Sequence, residues 1–251
     1  MSPEVSIIIP VYNEAETVEK TLKVLNCMVS VPHEVVIVYD FDHDNTVPIV
    51  KKLQATIGTL RLEKNMYGPG VVNAIKTGFQ VAHAPVVCIY TADFADQPDA
   101  IDVMYEKIGR GFDVVSGARY ILGGQKYGGP WLQTILSRTG NWLFQKLTNF
   151  PLSDITYSFK MYRKEVIDTI KVEYDAGWVI SFEICVQAYL KGYKFAEIPA
   201  VWIARQLGES KFALSKWLPA YARWFFYGVW VINAKRLFNH RVTIPVKEKV
   251  R

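Results

Sequence analysis

The 251-residue sequence has few of the residues that build disulfide or histidine-based sites. It contains three cysteines, none in a Cys-x-x-Cys pair, and four scattered histidines. This spacing argues against a disulfide framework and against a zinc site. Cys27, Cys88 and Cys185 lie among apolar neighbours, so we predict reduced, buried thiols.

Two glycine motifs that bind nucleotide phosphates are also missing. No Gly-x-Gly-x-x-Gly follows the first predicted strand, and Gly68-Pro69-Gly70 is not followed by Gly-Lys-Ser/Thr. A dinucleotide-binding Rossmann site and a P-loop are therefore not expected. A metal ion is then the group expected to neutralise any bound nucleotide diphosphate.

Acidic residues are absent from one long stretch near the C terminus. Between Glu209 and Glu248 there is no acid, although the net charge of the whole chain is only +5. Seven basic residues lie in this interval: Lys211, Lys216, Arg223, Lys235, Arg236, Arg241 and Lys247. Such a region suits an anionic surface. The N terminus lacks the basic segment of a signal peptide, so none is expected, and the cysteine pattern favours a cytoplasmic compartment.

Half of the residues are hydrophobic, and their order indicates the fold. Apolar runs of strand length alternate with helical segments, which predicts an α/β protein with a doubly wound, mainly parallel sheet and helices on both faces. The predicted strands are residues 5–11, 33–39, 59–63, 85–90, 113–118, 158–162 and 195–203. Asn13 and Glu16 resemble a capping box at the start of the first helix, and the glycine-rich segment 123–130 is predicted to be a flexible lid.

Polar side chains follow the first two strands. Tyr12 and Glu14 come after the first strand, and Asp40 and Asp42 after the second. In a doubly wound sheet these loops are neighbours at one edge of the cleft. Tyr12 could stack on a base, and the carboxylates could accept from a base or a ribose. The alternative is that Asp40, Asp42 and Asp44 form turns and Glu14 is a charge at a helix N terminus.

A buried central strand ends at Thr91-Ala92-Asp93, and Asp96 follows three residues later. The strand would deliver Asp93 to the rim of the sheet, where α/β proteins hold their ligands. Carboxylate oxygens suit Mg²⁺ or Mn²⁺, which in nucleotide sites are usually held by one or two carboxylates together with substrate phosphates. Asp93 and Asp96 are therefore the predicted metal ligands.

Residues 216–237 are predicted to form one long helix. Three tryptophans (Trp217, Trp224 and Trp230) with flanking basic residues suit a helix in the headgroup region of a membrane. Pro219 and Arg223 interrupt an apolar run that is short for a span of ~20 residues. A core helix, a true span and an oligomer contact remain as alternatives. We expect residues 1–212 to be the catalytic domain and 213–251 a membrane-surface helix and tail.

Several motifs together resemble the family 2 inverting glycosyltransferases with the GT-A fold, near the dolichyl-phosphate mannose synthase and polyprenyl-phosphate glucosyltransferase group. The resemblance runs in order from about residue 5 to residue 211. Its segments are Pro10-Val11-Tyr12-Asn13-Glu14, Val38-Tyr39-Asp40-Phe41-Asp42, Ala92-Asp93, Ser116-Gly117-Ala118-Arg119, Leu136-Ser137-Arg138, Asp154-Ile155-Thr156-Tyr157-Ser158-Phe159-Lys160 and Gly208-Glu209-Ser210-Lys211.

The resemblance implies a role for each motif. The nucleotide would be held by Pro10, Tyr12, Glu14 and Asp40 or Asp42, and Asp93 would hold the metal and the pyrophosphate. The phosphate of a lipid acceptor would be surrounded by Arg119, Ser137, Arg138, Arg205 and Lys211. Two positions depart from the family pattern: Thr91 replaces the first Asp of Asp-x-Asp, and Ala95 replaces a Gln. Asp96 is then a possible replacement ligand.

The implied reaction transfers a hexose from a nucleotide sugar, GDP-mannose or a UDP-hexose, to a polyprenyl or dolichyl phosphate by in-line displacement. The acceptor oxygen is already anionic at neutral pH, so no strong general base is needed. Asp154 could be a base or an acceptor organiser, or only a local cap. The alternatives are transfer to a sugar hydroxyl, which requires a base, and a nucleotide-sugar-binding protein without turnover. We expect peripheral attachment to the cytoplasmic face of a membrane, possible homo-oligomers and no nucleic-acid partner.

Overall fold

The computed structural model describes residues 2–172, 177–205 and 214–238. Its strands are β1 (Val5–Val11), β2 (His33–Tyr39), β3 (Leu60–Lys64), β4 (Val86–Ile89), β5 (Val114–Ala118), β6 (Gln125–Tyr127), β7 (Lys160–Arg163), β8 (Phe195–Pro199) and β9 (Val201–Ile203). Its helices are α1 (Val18–Met28), α2 (Thr46–Leu53), α3 (Val71–Val81), α4 (Ala100–Gly109), α5 (Trp131–Thr148), α6 (Lys164–Asp168), α7 (Ile180–Lys191) and α8 (Leu214–Phe238), with a 3₁₀ turn at Gly177–Val179.

The main sheet has seven strands in the order β3-β2-β1-β4-β7-β5-β8. β1 pairs in parallel with β2 and β4, whereas β7 runs antiparallel between β4 and β5. The predicted mainly parallel sheet is thus confirmed. Because β1, β2 and β4 are parallel, their carboxyl ends meet at one edge, where the polar loops lie.

Helices cover both faces of the sheet. Helices α1, α2 and α4 pack on one face of the sheet and form the first core layer with it. Helices α3, α5, α7 and α8 pack on the opposite face and form the second core layer. Strands buried on both faces explain the continuous apolar runs of the sequence. Gly78 lets α3 lie close to β1, because a Cβ at this position would overlap the Ile8 side chain.

The start of α1 differs from the predicted capping box. α1 begins at Val18, and Asn13 has a φ of 54°. This left-handed conformation is one that asparagine tolerates better than most residues. The Asn13 amide donates to Asp44 Oδ2 over 2.9 Å, so Asn13 belongs to a turn that a tertiary contact holds, and the capping-box prediction is wrong.

Three further expectations are corrected. The predicted lid contains β6, which pairs in parallel with β9 in a separate small sheet. The predicted single strand 195–203 accordingly divides into β8 and β9 at Ala200. Cys88 and Cys185 are buried as expected, but Cys27 is exposed, because it lies on the outer face of α1.

α8 is one helix, as predicted, and it packs on α5 and α7. Ala220 and Ile232 are buried against the second core layer. At Gly228 the helices approach closely, since a Cβ there would lie 2.9 Å from the Phe144 ring. Phe226 and Trp230 are exposed. Within the described ranges, we find no helix with the length and apolar character that crossing a membrane requires.

Candidate active site

Asp44 fastens the loop after β1 to the loop after β2. Its carboxylate is buried and accepts from the amides of Asn13 (2.9 Å) and Thr46 (2.8 Å). Thr46 Oγ1 in turn accepts from the Glu14 amide over 2.8 Å. Asp44 is therefore a turn former, as one of the two interpretations of the sequence had it, and it sets the position of Tyr12 and Glu14 at the rim.

An aromatic edge and a carboxylate lie beside this rim. Tyr12 is about half exposed at 48% and meets the Phe41 ring edge-on, with centroids 6.3 Å apart. Asp40 accepts from Asn65 Nδ2 (2.7 Å) and from the Gly70 amide (2.9 Å). Asp40 thus ties the loop after β3 to the cleft.

Asp42, the second carboxylate of the loop, faces away from this network. It is exposed and forms an ion pair with Lys64. The hydrogen bond from Lys64 lowers the pKa of Asp42. The structure therefore places Asp40 between the loops and Asp42 on the outer surface.

Asp93 stands at the end of β4 in a tight turn. Its Oδ1 accepts from Thr91 Oγ1 (2.7 Å) and from the Ala95 amide (3.2 Å). Phe94 at the tip of the turn has a φ of 59°, an uncommon conformation for a bulky side chain. The turn leaves Oδ2 of Asp93 facing the cavity side, where Arg205 Nε lies 3.5 Å away.

Asp96 lies just behind Asp93 and is buried. It accepts a hydrogen bond from the Tyr157 hydroxyl, and its Oδ2 lies 3.4 Å from Thr91 Oγ1. Burial raises the pKa of Asp96 to about 7, and the charge of Asp93 adds to this shift while the Tyr157 hydrogen bond opposes it. Asp96 therefore holds a proton more readily than an exposed carboxyl group does.

Arg205 joins the first loop to the end of β4. Its Nη2 lies 2.7 Å from Glu14 Oε1, and its Nε faces Asp93. Burial alone would lower the pKa of Arg205, but Glu14 and Asp93 outweigh burial and raise it. The guanidinium thus occupies a position between two carboxylates, where its charge is balanced.

Arg119 and Asp154 form a buried ion pair. The guanidinium binds the carboxylate in a forked geometry, with Nε to Oδ2 at 2.8 Å and Nη2 to Oδ1 at 2.9 Å. The Arg119 amide and Asn141 Nδ2 donate to the same carboxylate. Burial would raise the pKa of Asp154, but the Arg119 charge and these hydrogen bonds hold it below its usual range. The Arg119 guanidinium also lies 4.4 Å from the centre of the Tyr157 ring.

The remaining acceptor-side predictions have different outcomes. Ser137 on α5 lines the cavity, and its hydroxyl is 2.5 Å from the Tyr120 hydroxyl. Arg138 is exposed on the same helix and is not among the described residues that line the cavity. Lys211 lies outside the described residues.

One cavity of about 810 Å³ connects the Asp93 turn with the groups on the acceptor side, and Tyr12, Glu14 and Asp40 are not among its lining residues. Its polar end is lined by Thr91, Asp93, Asp96, Arg119, Lys126 and Arg205. It continues between α5 and α8, where its lining is apolar: Leu136, Leu143, Leu218, Phe225 and Phe226. Lys126 and Trp202 also line the cavity, and neither was predicted as a site residue from the sequence. For Lys126, the sequence signal was that it is the single lysine in the glycine-rich segment 123–130.

The described residues supply few ligands for a metal ion. Among the described residues, no three or more His, Cys, Asp or Glu side chains form a group that could hold a metal. Asp93 offers one carboxylate at the cavity wall, and Asp96 shares the Thr91 hydroxyl with it. This fits Mg²⁺ or Mn²⁺ bound by one or two carboxylates plus phosphate oxygens.

The fold of this chain is of the GT-A type, and two solved structures show the likeness. Glucosyl-3-phosphoglycerate synthase from Mycobacterium tuberculosis, solved with Mn²⁺, UDP and glucosyl-3-phosphoglycerate, matches 92% of this chain and 80% of its own with a TM-score of 0.65 at 14% identity. TarS from S. aureus matches 82% of this chain and 59% of its own with a TM-score of 0.54 at 17% identity.

The sequence places the chain more narrowly. The model of glycosyl transferase family 2 matches residues 6–171, so the chain belongs to that family and the resemblance is confirmed. A dolichol-phosphate mannosyltransferase from Pyrococcus furiosus is 28% identical over 83% of this chain. A polyprenol monophosphomannose synthase from Mycolicibacterium smegmatis is 25% identical over 82% of this chain and 79% of its own length. The match covers 59% of the Pyrococcus protein's length.

Proposed function

We propose that this protein transfers a hexose from a nucleotide sugar to a polyprenyl phosphate at a membrane surface. The observation that carries the proposal is the cavity, which runs from Asp93 and its neighbours into an apolar passage between α5 and α8. A phosphate with a long hydrocarbon chain has this same division into a charged and an apolar part. The names of the two relatives, which include dolichol phosphate and polyprenol monophosphate, support the same acceptor class.

The donor would lie along the edge formed by the loops after β1, β2 and β4. Tyr12 offers a ring for base stacking, and Asp40 lies among the loops that would surround the nucleoside. Asp93, with Asp96 behind it, would hold Mg²⁺ or Mn²⁺ together with the diphosphate. When bound, the metal would supply positive charge for the departing nucleotide diphosphate.

The displacement needs no proton transfer. The acceptor phosphate oxygen would attack the anomeric carbon as the bond from that carbon to the nucleotide diphosphate breaks, and the electron pair would leave with the diphosphate. Asp154 is poorly suited to act as a base, because it is fully buried and accepts from Arg119 and Asn141. Its geometry supports a role in holding Arg119 at the cavity wall, where the guanidinium would stabilise phosphate charge.

The surface around the apolar passage suits the headgroup region of a membrane. α5 exposes Trp131 (73%) and Trp142 (59%), and α8 exposes Phe226 (69%) and Trp230 (67%). Exposed aromatic side chains on adjacent helices are typical of proteins that lie on a bilayer. This arrangement supports peripheral attachment, and the proposal includes the cytoplasmic face of the membrane.

The test is transfer of radiolabel from GDP-mannose and from UDP-glucose, in detergent with Mg²⁺, Mn²⁺ or EDTA. Polyprenyl phosphate is the acceptor and the matching polyprenol is the control. We expect labelled lipid with the phosphate only, lost in EDTA and in an Asp93→Asn variant that still folds. Label in a sugar hydroxyl acceptor, with none in the lipid, would replace this proposal with the hydroxyl-acceptor alternative. Nucleotide-sugar binding without any transfer would indicate a protein without turnover.

A further inference from the structure

Three basic side chains line the cavity within the described part of the chain, and two of them already have acidic partners. Arg119 is paired with Asp154, and Arg205 lies against Glu14 and Asp93. Both guanidinium charges are therefore compensated before any ligand arrives. The third is Lys126.

The direct contacts of the Lys126 ammonium group are with neutral side chains. Its ammonium group donates to Thr134 Oγ1 and lies 5.1 Å from the centre of the Trp202 ring. Among the residues that the structure describes, no carboxylate forms an ion pair with it. Its side chain is partly buried, and burial together with the positive charge of Arg119 lowers its pKa. The charge of Asp154 opposes this lowering of the pKa, but it does so without forming an ion pair with Lys126.

The backbone around Lys126 holds this charge in a defined place. Lys126 pairs with Trp202 in the small sheet of β6 and β9. The Ile203 amide of β9 donates to the Ala95 carbonyl over 2.9 Å, which ties the small sheet to the Asp93 turn. Gly129 has a φ of 78°, and a Cβ there would lie 3.3 Å from the Trp202 ring. The lysine is therefore presented by a fixed strand beside the reacting end of the cavity.

A partly buried cation without a carboxylate is costly unless an anion pairs with it. We propose that Lys126 holds the phosphate monoester of the acceptor together with Arg119, and that it supplies a positive charge with which no carboxylate of the described residues forms an ion pair. This rests on the proposed function, which it deepens by naming a phosphate-binding residue outside the motifs of the sequence. The ligand chemistry is a phosphate monoester, carried by a lipid or free in solution.

The experiment compares binding of polyprenyl phosphate and polyprenol in detergent to the wild type and to Lys126→Met, Lys126→Arg and Lys52→Met. Lys52 is an exposed lysine on α2 and serves as the matched control. A hydrogen bond to a charged group contributes enough for a loss of roughly tenfold to hundredfold. We expect Lys126→Met to lose that much of the preference for phosphate over alcohol, Lys126→Arg to retain most of it, and Lys52→Met to match the wild type. Binding of nucleotide should be equal in all four proteins, which shows that each is folded.

The outcomes separate this inference from the proposed function. If the wild type prefers phosphate and Lys126→Met keeps that preference, the role of Lys126 is refuted and the acceptor class stands. If inorganic phosphate binds in competition with polyprenyl phosphate and as tightly, and does so only in the proteins that retain Lys126, the role of Lys126 stands and the lipid acceptor is refuted. If the wild type does not distinguish phosphate from alcohol and does not bind inorganic phosphate, both are refuted.

Discussion

The ion pair between Arg119 and Asp154 gives the sharpest prediction about stability. Asp154 is fully buried and the Arg119 side chain is only 10% exposed. Replacing Asp154 with Asn preserves the shape but leaves a buried guanidinium without its counter-charge. Breaking a buried pair in this way costs about 3–5 kcal/mol of unfolding free energy. For a domain of this size that corresponds to a fall in Tm of roughly 6–20 °C.

Denaturant unfolding of four proteins would measure this effect. They are the wild type, Asp154→Asn, Arg119→Met and the double variant Arg119→Met/Asp154→Asn. We expect the double variant to lose much less stability than the sum of the two single variants, because it leaves no uncompensated charge. Asp168→Asn is the control, since Asp168 is 59% exposed in its pair with Lys164 and such pairs contribute about 0–1 kcal/mol.

The pH dependence provides a second readout. The pKa of Asp154 is lower in the folded protein than in the unfolded chain. Its contribution is therefore present above the unfolded pKa and is lost as the pH falls through the folded pKa. The difference in stability between the wild type and Asp154→Asn should accordingly narrow as the pH falls below about 4. Two results would refute the description of this pair as buried, coupled charges. One is a difference in unfolding free energy below about 1 kcal/mol between the wild type and Asp154→Asn at pH 7. The other is a double variant whose loss of stability equals the sum of the losses of the single variants.

Three further predictions concern other parts of the molecule. Burial raises the pKa of Asp96 to about 7, so between the pKa of the unfolded chain and pH 7 the native state keeps a proton that the unfolded chain loses. The stability of the wild type should therefore fall over this pH range relative to Asp96→Asn. Equal denaturation curves of the wild type at pH 5 and pH 8 would contradict this prediction. Gly78→Ala should lower the unfolding free energy by about 1–3 kcal/mol, because the new Cβ would overlap a side chain of β1. In Gly109→Ala the new Cβ would have no atom within 4 Å, so this control variant should be neutral or stabilising. Replacing Trp131 and Trp142 with Ser should weaken sedimentation with anionic vesicles without changing nucleotide binding; unchanged sedimentation would remove α5 from the membrane face.

The sequence by itself determined the sheet and the position of its central carboxylate. Strands buried on both faces read as nearly continuous apolar runs, with the mutually hydrogen-bonded Ser6 and Glu34 as exceptions, so β1, β2 and β4 were predictable from local composition. Asp93 was predictable for the same reason, since it is the first charged residue after such a run. The family motifs could be recognised in the sequence because they lie in short, continuous segments at strand ends.

The tertiary structure alone decided the partners of the charged groups. Glu14 and Arg205 are 191 residues apart, and Arg119 and Asp154 are 35 apart, so no local pattern joins them. Asp44 was open to interpretation as a turn residue, but its link to the loop after β1 depends on a hydrogen bond from Asn13, which is 31 residues away. Lys126 became conspicuous only when β6 paired with β9 and the other two basic residues of the cavity were found to be compensated. Charge balance depends on distances between side chains in three dimensions, and sequence order does not specify those distances.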